Sequence, residues 1–373
     1  MADITLVLLA AGSSSRFNSD VKKQWLRIGH EPLWQFVARK CVETKLFSKV
    51  IITSSEDDIA FMKLYDTFCF VEGSTTRQKS LKNALKEVKS DYVLVSDIAR
   101  PCIDEDFLKS IISNASEADC IVPYIGVTDT IVYEDKTIDR DKVKRIQTPQ
   151  LSKTSVLNAA LNTEIEYTDE SSAIVAYGGT RKFVLGIADA KKITHVKDLK
   201  KLSCLTQPSE DTLSGTGFDV HAFEDNKEMF LCGVKIESEF GFKAHSDGDV
   251  AIHALIDALL GASGMGDIGD SFPDSSDEYK NIDSKVLLSK VCSKIKELGF
   301  VIVNVDISIA AQTPRIGSYK LAMRETIAGI LECQSSRVNI KATTTENLGF
   351  IGRKEGVGVI ANANLKYFDW TKI

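Results

Sequence analysis

Short apolar runs near residues 4–10, 49–53, 68–71, 92–96 and 119–124 alternate with amphipathic stretches near 32–44, 75–89 and 104–116. A chain that returns repeatedly from helix to strand builds a largely parallel, doubly wound α/β sheet, and that Rossmann-like arrangement is the expectation for the first part. Between 127 and 146 the pattern changes to a β-ribbon, Asp129-Thr-Ile-Val-Tyr, Asp135-Lys and Val143-Lys-Arg-Ile, expected to project from the sheet as an arm. At 373 residues the chain exceeds the ~100–200 residues of a usual domain, so a second domain is expected. The polar, turn-forming stretch Gln207-Pro-Ser-Glu-Asp-Thr-Leu-Ser-Gly marks the boundary: a first domain at 1–206, a linker at 207–213 and a second domain at 214–373. The second domain reads as α+β, with strands at 215–221, 302–310, 337–345 and 355–366 and helices at 249–261, 283–298 and 318–331.

Forty-six basic against 52 acidic residues leave a net charge of −6 without a long run of one sign. Such a field repels a nucleic-acid backbone, although local basic residues can still hold a small phosphate. The apolar run that follows Met1-Ala-Asp has no basic leader and is too short to span a bilayer; it reads as a first strand, with no membrane segment expected. Eight cysteines are scattered without a CxxC pair, which reads as reduced thiols in a cytoplasmic protein, most of them core filler, rather than disulfides or a thiolate metal site.

The first strand runs into Ala10-Ala11-Gly12-Ser13-Ser14-Ser15-Arg16, followed by Lys23-Gln24-Trp25. Small residues after a strand let backbone N–H groups approach phosphate, and Arg16 and Lys23 can neutralise a triphosphate. A loop that merely turns the chain fits the same residues. Neither GxGxxG nor GxxxxGK[ST] is present, so NAD binding and a P-loop are not supported. Further along come Gly73…Arg77-Gln-Lys-Ser80, Val95-Ser-Asp97-Ile-Ala-Arg100-Pro, Asp139-Arg140…Gln147-Thr-Pro-Gln150, Tyr167-Thr-Asp-Glu and Asp189-Ala-Lys-Lys192. In this order they cover nearly the whole first domain, which resembles the 2-C-methyl-D-erythritol 4-phosphate cytidylyltransferases of the nucleotidyltransferase superfamily.

That resemblance implies attack of a substrate phosphate on the α-phosphorus of CTP, with pyrophosphate leaving. It implies that Arg16, Lys23 and Lys192 hold the triphosphate and that Arg140, on an arm crossing into a second subunit, grips the methylerythritol phosphate. Ala10, Ala11, Gly12, Gly73, Ser74 and Ser80 would read the cytosine, though Ser80 could simply start a helix. Asp97 would bind Mg²⁺ or ribose, with Asp189 a weaker second choice. Ser14 and Ile98 stand where the family commonly has glycine and alanine, departures that bear on loop geometry and ribose fit.

Three of the five histidines, 221, 245 and 253, fall close together beside several aspartates. Asp219-Val-His221 on a strand puts both side chains on one face, and a helix carries His253 with Asp257 one turn later, positioned to accept its other N–H. Two imidazoles and a carboxylate leave a fourth tetrahedral position open, as at a catalytic zinc. A chance DxH and an ordinary surface His/Asp pair fit the same spacing. Gly217-Phe-Asp-Val-His221, Ala244-His-Ser-Asp-Gly-Asp-Val-Ala-Ile-His253, Gly266-Asp-Ile-Gly269, Phe272-Pro-Asp274, Ala310-Ala-Gln-Thr-Pro-Arg315 and Lys341-Ala-Thr-Thr-Thr-Glu…Arg353 together resemble the 2-C-methyl-D-erythritol 2,4-cyclodiphosphate synthases.

By that resemblance Asp219, His221 and His253 bind zinc, and the 2-phosphate of a cytidine diphosphate substrate attacks its β-phosphorus and expels CMP. His245 and Ser246 would contact phosphate. Thr344, with Thr343 and Thr345, would donate hydroxyls to the transition state, and Glu346 would suit a second, Mg²⁺-like ion. The erythritol pocket would come from Asp267, Ile268, Gly269, Phe272, Pro273, Asp274, Ser275 and Ser276. Ala311 to Arg315 would cradle cytosine, with Phe350 nearby and Arg353 on phosphate. Against these stand a plain strand end at 343–345 and a turn with an N-cap at 247–249; for Asp249 the cap is preferred.

Members of this second family are trimers with sites between subunits, so a homo-oligomer is implied. The two steps are not consecutive, because the first product needs a further phosphate; a separate ATP-dependent kinase is implied as a functional partner. Transfer of CMP to another polyol phosphate, or a non-catalytic cytidine nucleotide sensor, are the alternatives.

Overall fold

The computed structural model describes residues 3–12, 17, 19–244, 246–273 and 282–372. The chain forms two compact units, Met1–Pro208 with Asp369–Ile373, and Ser209–Phe368.

In the first unit the strands are β1 (Ile4–Leu9), β2 (Arg27–Ile28), β3 (Glu31–Pro32), β4 (Lys49–Ser54), β5 (Cys69–Glu72), β6 (Tyr92–Asp97), β7 (Cys120–Ile125), β8 (Ile131–Tyr133), β9 (Lys136–Ile138), β10 (Arg145–Ile146), β11 (Gln150–Lys153) and β12 (Arg181–Leu185). The helices are α1 (Leu33–Glu43), α2 (Glu56–Tyr65), α3 (Arg77–Leu85), α4 (Glu105–Ile112), α5 (Thr154–Ala160) and α6 (Glu170–Tyr177). The main sheet runs β7-β11-β6-β1-β4-β5, with β10 and β12 also on β7. Strands β5, β4, β1 and β6 are mutually parallel, as expected; β11 enters antiparallel between β6 and β7. Burial on both faces explains the unbroken apolar runs, since every residue of Ile4–Leu9 is buried.

The expected ribbon is present over part of its range as the antiparallel pair β8–β9, turning through Glu134 and Asp135, both at positive φ, whereas Arg145–Ile146 of the expected third segment pairs with β7 in the main sheet. Val132 and Tyr133 on it are exposed. Trp370 returns to this unit, buried, with its Nε1 donating to the Arg27 carbonyl at 2.7 Å.

The cysteine expectation needs correction at one pair. Cys102 and Cys204 form a disulfide with Cα atoms 5.5 Å apart, joining segments separated by 102 residues. Cys41, Cys69, Cys120, Cys232, Cys292 and Cys333 are free, and Cys41, Cys120, Cys232 and Cys292 are buried as filler.

The second unit contains β13 (Leu213–Asp225), β14 (Met229–Leu231), β15 (Val234–Ile236), β16 (Phe240–Phe242), α7 (Val250–Ser263), α8 (Ile268–Ser271), α9 (Ser284–Glu297), β17 (Phe300–Ala310), α10 (Lys320–Leu331), β18 (Val338–Thr343), α11 (Gly349–Gly352) and β19 (Gly356–Tyr367). Its sheet order is β16-β13-β19-β17-β18, antiparallel except for β17–β18. Helix α7 is apolar nearly all round and lies across β13. Two glycines make that packing possible. A Cβ at Gly215 would stand 2.1 Å from the Ala258 carbonyl oxygen, and one at Gly217 would stand 2.0 Å from that of Ala254. Because side chains alternate along a strand, residues 215, 217, 219 and 221 share the face on which α7 sits.

Candidate active sites

The first site lies at the C-terminal edge of the parallel strands, where open α/β sheets place their ligands. Leu9, the last residue of β1, pairs with Asp97, the last of β6, so the small-residue loop leaves the sheet beside the carboxylate. A cavity of about 530 Å³ opens there, lined among others by Ala10, Ala11, Gly12, Lys23, Ser74, Ser80, Asp97 and Lys192. Gly73 adjoins it, and a Cβ there would fall 2.3 Å from that of Ala11, so glycine lets the two loops close on each other. Ser80 is the fourth residue of α3 and does not cap it. Thr76 is the cap, while Ser80 Oγ accepts from the Ser74 backbone N–H at 2.9 Å and fixes the loop. The short turn carrying Lys23 is pinned from below, because Asp58 on α2 is buried and accepts from Lys22 at 3.1 Å and from Gln24 at 2.9 Å.

Asp97 is the electrostatic centre of this cleft. Lys192 Nζ donates to its Oδ2 at 2.8 Å, Arg77 Nε reaches Oδ1 at 3.5 Å, and Thr148 Oγ1 lies 3.5 Å from Oδ2. Burial works against the charge, but Arg77, Lys192 and Arg100 outweigh it and hold the carboxyl down at about 2. Arg77 is anchored in turn by the fully buried Glu170, at 2.5 and 3.3 Å. Sequence reasoning missed Arg77 and Glu170 as site residues, although both stand inside its quoted motifs. Lys192 and Arg77 thus stand on the two oxygens of Asp97, which holds Lys192 toward the cavity. Asp189 is exposed and does not line the cavity, and Arg140 lies on the arm, donating to the Thr128 carbonyl at 2.7 Å. Arg16 lies outside the described residues.

In the second unit Asp219, His221 and His253 present ligand atoms all within 4.8 Å of one another, and among the described residues they are the group of three that could hold a metal ion. Asp219 Oδ2 lies 3.1 Å from His221 Nε2 and 3.4 Å from His253 Nδ1. Burial opposes ionisation of Asp219, but the two imidazoles beside it hold its carboxyl below the ordinary range. His221 Nδ1 donates to the Gly248 carbonyl at 2.8 Å, so in the neutral imidazole the lone pair sits on Nε2, the nitrogen that faces Asp219. The donor set and the tautomer fit a divalent metal.

The expected role of Asp257 is overturned. Its Oδ1 accepts from the Ile268 N–H at 2.8 Å, at the start of α8, while His253 Nε2 faces Ser284 Oγ at 3.1 Å and Ser246 Oγ at 3.3 Å. Asp249 is the N-cap of α7, as preferred, and is fully buried with its oxygens also on the N–H groups of Cys232 and Gly233.

Asp267, Ile268, Gly269, Phe272 and Pro273 gather around α8, with Asp267 as its cap. A separate group forms at the far edge of the sheet. The Ala311 N–H donates to the Thr343 carbonyl at 2.9 Å, the Asn347 N–H reaches Gln312, and Thr344 Oγ1 donates to Glu346 at 3.1 Å. Arg315 and Phe350 are exposed, and Arg353 pairs with Glu355 at 2.8 Å. The register runs from Asp219 through Val359 and Ile309 to Ala342, so three spacings of about 4.8 Å separate the metal-type triad from Thr343–Thr345 by roughly 14 Å. One chain does not bring these two groups together. His245, Asp274, Ser275 and Ser276 lie outside the described residues.

A doubly wound sheet with a basic, small-residue cleft at its switch edge defines a nucleotidyltransferase half, and the second unit's His/Asp triad defines a metal-site half. The family model for 2-C-methyl-D-erythritol 4-phosphate cytidylyltransferase matches residues 4–206, and that of the YgbB family matches 213–366. The bifunctional enzyme IspD/IspF of Sulfurimonas denitrificans is 69% identical over 99% of this chain and 96% of its own length, and that of Aliarcobacter butzleri is 52% identical over 100% of both. The solved structure of the bifunctional IspDF from Campylobacter jejuni superposes with a TM-score of 0.91 at 46% identity, covering 99% of this chain and 100% of that one.

The chain belongs to the bifunctional IspD/IspF family. It is an enzyme of isoprenoid biosynthesis that joins a cytidylyltransferase and a cyclodiphosphate synthase, a nucleotidyltransferase and a lyase, and the alternatives of another polyol phosphate acceptor or a nucleotide sensor are not favoured. Among the described residues no helix is long and apolar enough to cross a membrane.

Proposed function

We propose that residues 1–206 transfer CMP from CTP to 2-C-methyl-D-erythritol 4-phosphate, releasing pyrophosphate. Residues 214–373 would cyclise 4-diphosphocytidyl-2-C-methyl-D-erythritol 2-phosphate to the 2,4-cyclodiphosphate, releasing CMP, with 207–213 as the linker. The observation that carries this reading is that one chain presents both centres, the Asp97–Lys192 cleft and the Asp219/His221/His253 triad.

In the first reaction the attacking phosphate is already an anion, so positioning and charge neutralisation replace a general base. Lys23 and Lys192, with Arg16, neutralise the triphosphate, and Asp97 holds Lys192 in place. The N-terminus of α3, which Ser74 to Arg77 bring to the cavity wall, adds a favourable dipole for phosphate. Ala10, Ala11 and Ser80 line the cavity, with Gly73 beside Ala11, and would read the flat pyrimidine. Mg²⁺ would enter on the phosphates of CTP, with Asp97 as its protein ligand or as a ribose contact. Arg140 serves the acceptor phosphate, its place on an exposed arm fitting delivery to a second copy's cleft.

In the second reaction the 2-phosphate attacks the β-phosphorus, closing an eight-membered ring as CMP departs. Zinc held by Asp219, His221 and His253 would supply Lewis acidity and a template for two anionic groups. Ser246 and His245 contact phosphate, Thr344 donates its hydroxyl, the Ala311–Arg315 turn receives cytosine, and Glu346 suits a second divalent ion. The roughly 14 Å between triad and threonines supports completion of each site by a neighbouring copy. So does the sheet face opposite α7, which exposes Phe218 (63%) and Ile360 (46%). We place a trimer of second domains and a dimer of first domains in this assembly, with a separate kinase between the two steps and the cytoplasm as the location.

A phosphorus NMR time course with CTP, Mg²⁺ and methylerythritol 4-phosphate, with ribitol 5-phosphate as control acceptor, tests the first half. Pyrophosphate and a cytidine diphosphate signal are expected with methylerythritol phosphate alone. Turnover of ribitol phosphate would assign the half to another polyol.

A further inference from the structure

We propose that Ser284 and Asp247 act as positioning residues that fix the tautomer of His253 and so aim its Nδ1 lone pair at the metal position. The inference rests on the metal reading of the triad and goes one layer beyond it. Ser284 is the first residue of α9 and has no solvent exposure. Its Oγ lies 2.5 Å from Asp247 Oδ1 and 3.1 Å from His253 Nε2, and its backbone N–H donates to Asp247 Oδ2 at 3.1 Å.

The direction of this relay follows from counting protons. An ionised carboxylate only accepts, so the one hydroxyl proton of Ser284 goes to Asp247. Ser284 Oγ then has only lone pairs to offer His253, and Nε2 must carry the hydrogen. Ser246 Oγ, 3.3 Å from the same nitrogen, already accepts from the Gly248 N–H at 3.1 Å and can accept again. With hydrogen on Nε2, the neutral imidazole of His253 has its lone pair on Nδ1, the nitrogen 3.4 Å from Asp219 Oδ2. His221 is set in the opposite sense, since Nδ1–H on the Gly248 carbonyl frees Nε2. Both imidazoles are therefore locked as ligands by the one loop at 246–249. The Asp247 N–H docks that loop on the Ile282 carbonyl at 3.2 Å, just before α9 begins. Asp257, the nearer acidic residue in sequence, is occupied by α8 and contributes none of this.

The test is zinc affinity of the full chain by chelator competition, together with nitrogen NMR of ¹⁵N-histidine-labelled metal-free protein. Ser284→Ala keeps the backbone bond to Asp247, so α9 stays docked, and circular dichroism checks this. Expected are a zinc affinity lower by about tenfold, the usual scale for such outer partners, and His253 nitrogen signals moving from one tautomer toward a mixture. Ser284→Thr, which restores the hydroxyl, should recover both. A folded Ser284→Ala protein with wild-type zinc affinity and unchanged His253 signals overturns the relay. Folded wild-type protein that binds no zinc overturns the metal reading and this inference with it. Zinc binding that is lost in Asp219→Ala but unmoved in Ser284→Ala overturns the relay alone.

Discussion

A methyl group at Gly217 would lie 2.0 Å from the carbonyl oxygen of Ala254, the residue that follows His253 on α7. The helix can therefore rest on β13 only because β13 has no side chain there, and this contact sets the height of His253 above Asp219. Gly217→Ala would force α7 outward. A destabilisation of about 1–3 kcal/mol, the scale of core overpacking, is expected in urea unfolding of the second unit. Zinc affinity should fall in the same protein while cytidylyl transfer is retained. Unchanged zinc affinity would show that the triad tolerates a displaced helix.

Glu170 and Arg77 form a second such support, in the first unit. Glu170 is completely buried, and its charge is matched by a guanidinium that also reaches Asp97. Removing one partner of a buried pair leaves the other charge uncompensated, a cost of about 3–5 kcal/mol. Glu170→Gln should destabilise the first unit on that scale and lower kcat for cytidylyl transfer by loosening Arg77 against Asp97. Denaturant midpoints and initial rates check both effects, and cyclase activity should be unmoved.

Asp97 carries a pH signature. Its carboxyl is depressed from 3.8 to about 2, so the stabilisation is fully present above the unfolded value and is lost as pH falls through the folded one. The shift corresponds to about 2 kcal/mol. Compared by urea unfolding, Asp97→Asn should show a constant stability deficit above about pH 5 that shrinks as pH falls below about 4. A deficit independent of pH across that range would remove the carboxylate charge as its cause.

Much of this architecture is legible in the sequence because buried parallel strands are written as apolar runs. β11 is not, since Gln150 and Ser152 are fully buried polar residues whose partners lie elsewhere in the chain. Helix α2 starts with a Ser55 cap and an acidic first turn, a signal that apolar periodicity passes over. The site residues that sequence reasoning finds are those next to a strand end or within one local motif, such as Ala10–Gly12 and Asp219-Val-His221. Those it misses depend on distance along the chain: Arg77 meets Glu170 across 93 residues, and Ser284 meets His253 across 31. Asp257 misleads because a helical i+4 spacing puts it near His253 without showing that the Ile268 N–H claims it first.

Asp219 stands between both imidazoles, within 3.4 Å of each facing nitrogen, and belongs to the second unit alone. Asp219→Ala removes the only carboxylate of the triad and leaves two neutral donors, too few for tight tetrahedral binding. Cyclisation and stoichiometric zinc should both be lost, as read by phosphorus NMR and metal analysis of the purified protein. Cytidylyl transfer should persist, because Lys23, Asp97 and Lys192 line a cavity whose described lining residues all belong to the first unit. Loss of both activities in a folded Asp219→Ala protein would show that the two centres depend on each other through the assembly, not merely through a shared chain.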